Sequence, residues 1–136
     1  ETSGSRKLKR IPTVYNRPGM GRLTTHVLDQ VSGMPAAGMT VELVWLEGGM
    51  RRPVVQLTTN RDGRCEGPLV EGERFAAGIW QLEFHVATYY RMRGTALADP
   101  PFLDVVPIRF GVADAAHHYH VPLLVTPWSY STYRGS

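Results

Sequence analysis

From Gly21 onward the chain is cut into short apolar runs by clusters of glycine and proline, and inside each run the apolar residues recur at every second position. In GRLTTHVLD, Leu23, Thr25 and Val27 alternate with Thr24, His26 and Leu28. TVELVWLE, RPVVQLTT, GIWQLEFHV, PIRFGV and HYHVPLLV follow the same period, and Trp80, Leu82, Phe84 and Val86 share one face. A further short strand is expected around RCEGP, and SGMPAAG, EGGMRRP, NRDG and EGERFAAG stand between the runs as turns. Successive side chains of a strand point to opposite faces, so each run has one face to bury and one to leave in water. One segment departs from this. TYYRMRG reads as a turn or two of helix, with Thr88 as its N-cap and Gly94 as its stop. Seven or eight strands with one short helix predict an all-β, two-sheet sandwich.

Composition narrows the classes. The 136 residues suit a single domain with a core of its own. One cysteine, Cys65, rules out an intramolecular disulfide framework. No apolar run reaches the roughly 18 residues of a membrane-spanning helix. The basic character is local: residues 1–20 carry a net charge of +4 out of the chain's +3, which leaves −1 for residues 21–136. The reading is a basic, disordered, solvated tail at 1–20 ahead of a nearly neutral domain at 21–136, with neither nucleic acid nor membrane as a partner.

The polar residues then offer chemistry. His118 and His120 are two apart, so both leave the same face of an extended strand while Tyr119, Val121 and Leu123 turn to the core. Such a pair can approach a metal ion, and with His26 could hold zinc, but no Cys or H-E-x-x-H spacing supports this, and no metal is expected. His85 is expected to face solvent without a role. Asn60-Arg61-Asp62-Gly63 is a reverse turn in which Gly63 can take positive φ, and Arg64 follows it directly. A guanidinium held there suits a planar polar heterocycle or a developing oxyanion. No Gly-rich phosphate loop and no nucleophile elbow are present.

Four stretches, LTTHVLD, TTNRDGR, HYHVPLL and the ending YSTYRGS, resemble the transthyretin-like family, and in particular its enzyme branch, the 5-hydroxyisourate hydrolases of purine breakdown. The resemblance runs from about Arg22 to the last residue. It implies a two-sheet sandwich assembled as a homotetramer, and cofactor-free hydrolysis of 5-hydroxyisourate to 2-oxo-4-hydroxy-4-carboxy-5-ureidoimidazoline. Carried over residue by residue, it makes His26, Arg64, His120 and Ser136 catalytic, and His26, Arg64, His118, Tyr133, Arg134 and Gly135 substrate-binding. Either His26 or His120 would take a proton from the attacking water, Arg64 would stabilise charge on the ring oxygens, and Tyr133 would orient the flat substrate. The chain departs from the family's usual pattern at Phe102-Leu103-Asp104-Val105-Val106 and at Trp128-Ser129, both away from the motif residues. The alternatives are a non-catalytic binding module for an aromatic ligand and a zinc-dependent hydrolase using His26, His118 and His120. Cytoplasm is the expected compartment, with periplasm and peroxisome as alternatives.

Overall fold

The computed structural model describes residues 21–136; the basic stretch at 1–20 lies outside the described residues. Among the described residues eleven strands and one α-helix follow in chain order: β1 (Arg22–Thr24), β2 (Val27–Asp29), β3 (Met34–Pro35), β4 (Thr40–Glu47), β5 (Met50–Thr58), β6 (Val70–Glu71), β7 (Gly78–His85), α1 (Val86–Met92), β8 (Val105–Val112), β9 (His118–His120), β10 (Leu123–Val125) and β11 (Tyr130–Thr132). One layer is the antiparallel sheet β5-β4-β7-β8. The other is built from the ladders β6-β1-β9 and β11-β10-β2-β3. β1 pairs parallel with β9, and β2 with β10. Backbone bonds from Val121 N to the Thr24 carbonyl (3.0 Å) and from Leu123 N to the His26 carbonyl (2.9 Å) carry one ladder into the next. The expected sandwich is what forms.

Alternation explains the packing. Leu23, Val27, Val41, Leu43, Leu82, Phe84, Leu123 and Val125 are fully buried between the layers, and Tyr119 and Val121 join them. Each large aliphatic or aromatic side chain taken out of water contributes about 1.5–3 kcal/mol. The run GRLTTHVLD is two strands, not one, and HYHVPLLV divides likewise at Pro122, which has no N–H to give a ladder. The strand expected around RCEGP is displaced: Arg64 makes only a single bridge, to His26, and the regular pairing comes at Val70–Glu71. The hairpin partner β11 pairs antiparallel with β10, beyond the strand expected to finish the sheet.

The helix begins three residues earlier than its sequence suggests. Thr88 lies inside it and exposed, not at its N-cap; the N-cap is His85, which gives no side-chain bond. The first free N–H groups, of Val86 and Ala87, are instead accepted by the Asp104 carbonyl at 3.1 Å each. The C-terminus is as expected. Gly94 takes φ +86°, Thr95 N bonds the Tyr90 carbonyl (3.0 Å), and Gly94 N bonds the Arg91 carbonyl (3.0 Å), a Schellman ending. The buried face of α1 carries Tyr89 and Tyr90, whose hydroxyls donate to the Asp29 carboxylate at 2.9 and 2.7 Å. Burial alone would raise the Asp29 pKa, but these bonds and the N–H groups of Val31 and Ser32 bring it below its ordinary value. His85 is half-buried rather than solvent-facing, with its Nε2 enclosed.

Candidate active site

The outward face of the β1/β9 ladder carries the site. Parallel register sets Arg22 opposite His118 and Thr24 opposite His120, so these four side chains leave the sheet together while Leu23 and Tyr119 enter the core. Arg64 arrives from elsewhere in the chain. The Asn60 side chain accepts from Asp62 N (2.9 Å) and Arg64 N (3.2 Å), closing the turn on itself. Gly63, at φ +74°, lies so close to β2 that a Cβ would come within 2.4 Å of the Val27 carbonyl oxygen. In return the Gly63 carbonyl accepts from Val27 N at 2.8 Å. Only glycine fits this contact, and it pins the turn so that Arg64 bridges His26.

A cavity of about 420 Å³ opens on this face, lined by Arg22, Thr24, Thr25, Arg64, Cys65, Gly67, Pro68, His118, His120 and Ser136. That volume suits a small heterocycle. Its wall holds two guanidiniums and two imidazoles but no Asp or Glu side chain, and among the described residues neither Arg22 nor Arg64 is paired with one. Burial lowers the pKa of His120, and the positive charge of Arg64, then His118 and His26, lowers it further. Burial, then Arg22, does the same to His118. Both rings are therefore neutral at pH 7 and able to accept a proton. The Cys65 thiol is pushed up to about 11 by burial, so it is protonated and a poor nucleophile.

The residues of the chain's ending do different things. Ser136 lines the cavity. Gly135 N bonds the His120 carbonyl (2.7 Å), and a Cβ at 135 would stand 2.6 Å from the His120 ring; glycine here lets backbone close over the imidazole. The Arg134 guanidinium stacks on the Tyr119 ring, 4.0 Å from its centroid, and is not part of the cavity wall. Tyr133 is 60% exposed and, like His26, stands outside the wall of the single chain. The structure thus brings together Arg64, His118, His120 and Ser136 of the residues expected from sequence. It adds Arg22 and Thr24, which sit beside the LTTHVLD motif and inside it but signal nothing until β1 is paired with β9. Among the described residues no three His, Cys, Asp or Glu side chains converge as a metal site. The His118 and His120 rings lie 6.3 Å apart, centroid to centroid, each with a nitrogen turned onto Thr24.

A two-layer sandwich of this topology, with an electropositive, histidine-bearing cavity on one sheet, is a transthyretin-like domain. The chain belongs to the HIUase/Transthyretin family, which it matches over residues 23–135. It is 60% identical over 117 residues to 5-hydroxyisourate hydrolase of Ralstonia nicotianae, covering 86% of this chain and 100% of that protein. Among solved structures it is similar to (S)-allantoin synthase, with a TM-score of 0.83 and 44% identity over 90% of this chain; the chain spans 46% of that protein. It is also similar to sea bream transthyretin in complex with thyroxine, at TM-score 0.75 and 26% identity over 84% of this chain and 94% of the other.

Proposed function

We propose that the chain hydrolyses 5-hydroxyisourate to 2-oxo-4-hydroxy-4-carboxy-5-ureidoimidazoline. The observation that carries this is that His118 and His120 share the wall of one cavity with Arg22 and Arg64 and no acidic side chain, in a chain so similar to a hydrolase of that substrate. His120 takes a proton from water as the oxygen attacks the ring carbonyl. Negative charge that develops on the carbonyl oxygen is met by Arg64, and the ring C–N bond then breaks with the nitrogen reprotonated. Ser136 hydrogen-bonds the substrate, and Gly135 keeps His120 in place. No cofactor enters the scheme, and activity should survive exhaustive chelation.

The working unit in this reading is a homotetramer. His26 and Tyr133, outside the cavity of one chain, then reach the substrate in a channel shared between subunits, and Trp128 and Tyr130, 62% and 44% exposed, are covered by neighbours. The decisive experiment adds the purified protein to freshly generated 5-hydroxyisourate and follows the ultraviolet decay. Acceleration over the spontaneous rate supports the reading. Binding of an aromatic ligand without turnover would overturn it in favour of a carrier.

A further inference from the structure

The Thr24 hydroxyl oxygen stands 2.8 Å from His118 Nε2 and 2.8 Å from His120 Nδ1. At 6.3 Å between centroids the two rings are too far apart to bond directly, so this one oxygen is the link between them. A hydroxyl carries a single hydrogen. It can donate to one ring only, and the other ring must present an N–H to it. The direction of the chain therefore decides which nitrogen of His120 is bare.

From this geometry we infer that Thr24 is a positioning residue for the hydrolysis: it accepts the Nδ1–H of His120 and donates its own hydrogen to His118 Nε2. His120 then keeps its Nε2 lone pair for the attacking water, and His118 serves as the far end of a proton relay. The inference rests on the hydrolase reading above. The step balances. As His120 Nε2 gains a proton from water, its Nδ1 proton passes to the Thr24 oxygen, and the Thr24 hydrogen passes to His118 Nε2. His120 ends neutral with its proton on Nε2, the Thr24 hydroxyl is restored, and the positive charge rests on His118. The reverse transfer returns the proton for the departing ring nitrogen. In water a neutral imidazole has no partner to enforce the Nδ1–H form, whereas here two rings and one hydroxyl fix each other's tautomers.

Several groups bear on the titration of this chain. Arg22 flanks His118, Arg64 and His26 flank His120, and Cys65 and Ser136 complete the wall. The charged ones all disfavour a second positive charge, so sharing one proton across two rings is the way the cluster holds it.

The test uses the full chain with Thr24→Val, which keeps the shape of the side chain without the hydroxyl, and Thr24→Ser, which keeps the hydroxyl. Thr24→Val should lower kcat about tenfold or more with little change in KM, as loss of a group acting through a catalytic base does. It should also move the acidic limb of the pH profile to lower pH, because the proton no longer has two rings to share. Thr24→Ser should restore most of the rate. Nitrogen NMR of histidine-labelled wild type gives a readout independent of turnover and of whether the variants fold: both His118 and His120 should be Nδ1–H tautomers. Wild-type kcat in Thr24→Val, equal defects in the Ser and Val variants, or an Nε2–H His120 in the wild type would each overturn the relay. A wild type that shows the Nδ1–H rings but no hydrolysis would uphold the hydrogen-bonded chain and overturn the hydrolase reading instead.

Discussion

The two sheets of the sandwich each present a polar face to the outside, and they treat charge in opposite ways. On the β5-β4-β7-β8 sheet, Arg51 lies between Glu42 (3.3 Å) and Glu83 (2.7 Å), and Arg52 meets Glu47 (2.9 Å). Gln81 bonds Glu83 at 2.8 Å and accepts from Arg109 at 3.0 Å. This sheet's arginines are bonded to glutamates or to Gln81, and the Arg51 contact holds the Glu83 carboxylate below its usual pKa. Around the β1/β9 ladder, Arg22 and Arg64 meet no acidic side chain among the described residues, and burial and their charge lower the pKa values of His118 and His120. The same period-two alternation builds both faces. One quenches its field internally; the other leaves its field for a ligand, and a cluster of titratable groups perturbed in that way marks a functional site.

The sharpest way to break the contrast is to remove a member of the open face. His120→Ala and Arg64→Ala should each lower the rate on 5-hydroxyisourate by roughly a hundredfold or more, with the melting temperature little changed. Near wild-type rates in either would take that residue out of the site. The buried end of the neighbouring strand should behave the other way round. Asp29→Ala leaves the Tyr89 hydroxyl and the N–H groups of Val31 and Ser32 without this acceptor, and leaves Tyr90 with the Val125 carbonyl alone (3.0 Å). A loss of about 2–4 kcal/mol in urea unfolding is expected, with kcat intact in the folded fraction. A large fall in kcat without loss of stability would mean that Asp29 belongs to the site.

Gly135→Ala tests whether backbone closing over His120 matters. The added Cβ displaces the imidazole, and a drop of roughly tenfold or more in kcat is expected, because small misplacements of a reacting group are costly. Stability against pH should show a smaller effect. The folded pKa values of His118 and His120 are lowered, so the unfolded chain binds more protons as pH falls through the ordinary histidine range. Their contribution is complete above about pH 6.5 and is lost on the way down to the folded values. Melting temperature should therefore fall as pH drops below about 6.5, and His118→Gln with His120→Gln should flatten the slope. The least effect belongs to the paired face: Arg51→Ala should leave kcat unchanged and shift the melt slightly, and that shift should shrink in high salt.

How much of this was legible in the chain depends on how far each feature reaches. Apart from the strand expected at RCEGP and the breaks inside GRLTTHVLD and HYHVPLLV, the strand runs, the common face of His118 and His120 and the Gly94 helix stop are short-range consequences of backbone geometry that stand in the structure. So does the Asn60–Gly63 turn that delivers Arg64. Thr88 misled because a polar residue is a good N-cap only where backbone N–H groups lack acceptors, and the Asp104 carbonyl already served them. His85 misled because alternation predicts which face a side chain leaves, not what covers that face. Family resemblance supplied His26, Tyr133 and Arg134, yet the single chain sets Arg134 on Tyr119.

Residue order alone was enough for whatever is decided within a few residues: which face, which turn, which stop. The site needed more. Thr24 lies 94 residues from His118 and 96 from His120, and only the parallel pairing of β1 with β9 brings its hydroxyl between them. Arg22 becomes part of the wall by the same pairing, and Gly135 finds His120 through a bridge from the last strand's far side. Alternation is a local property of the backbone, whereas register between distant strands is a choice made by the whole packed core. The chemistry of this protein sits in that register.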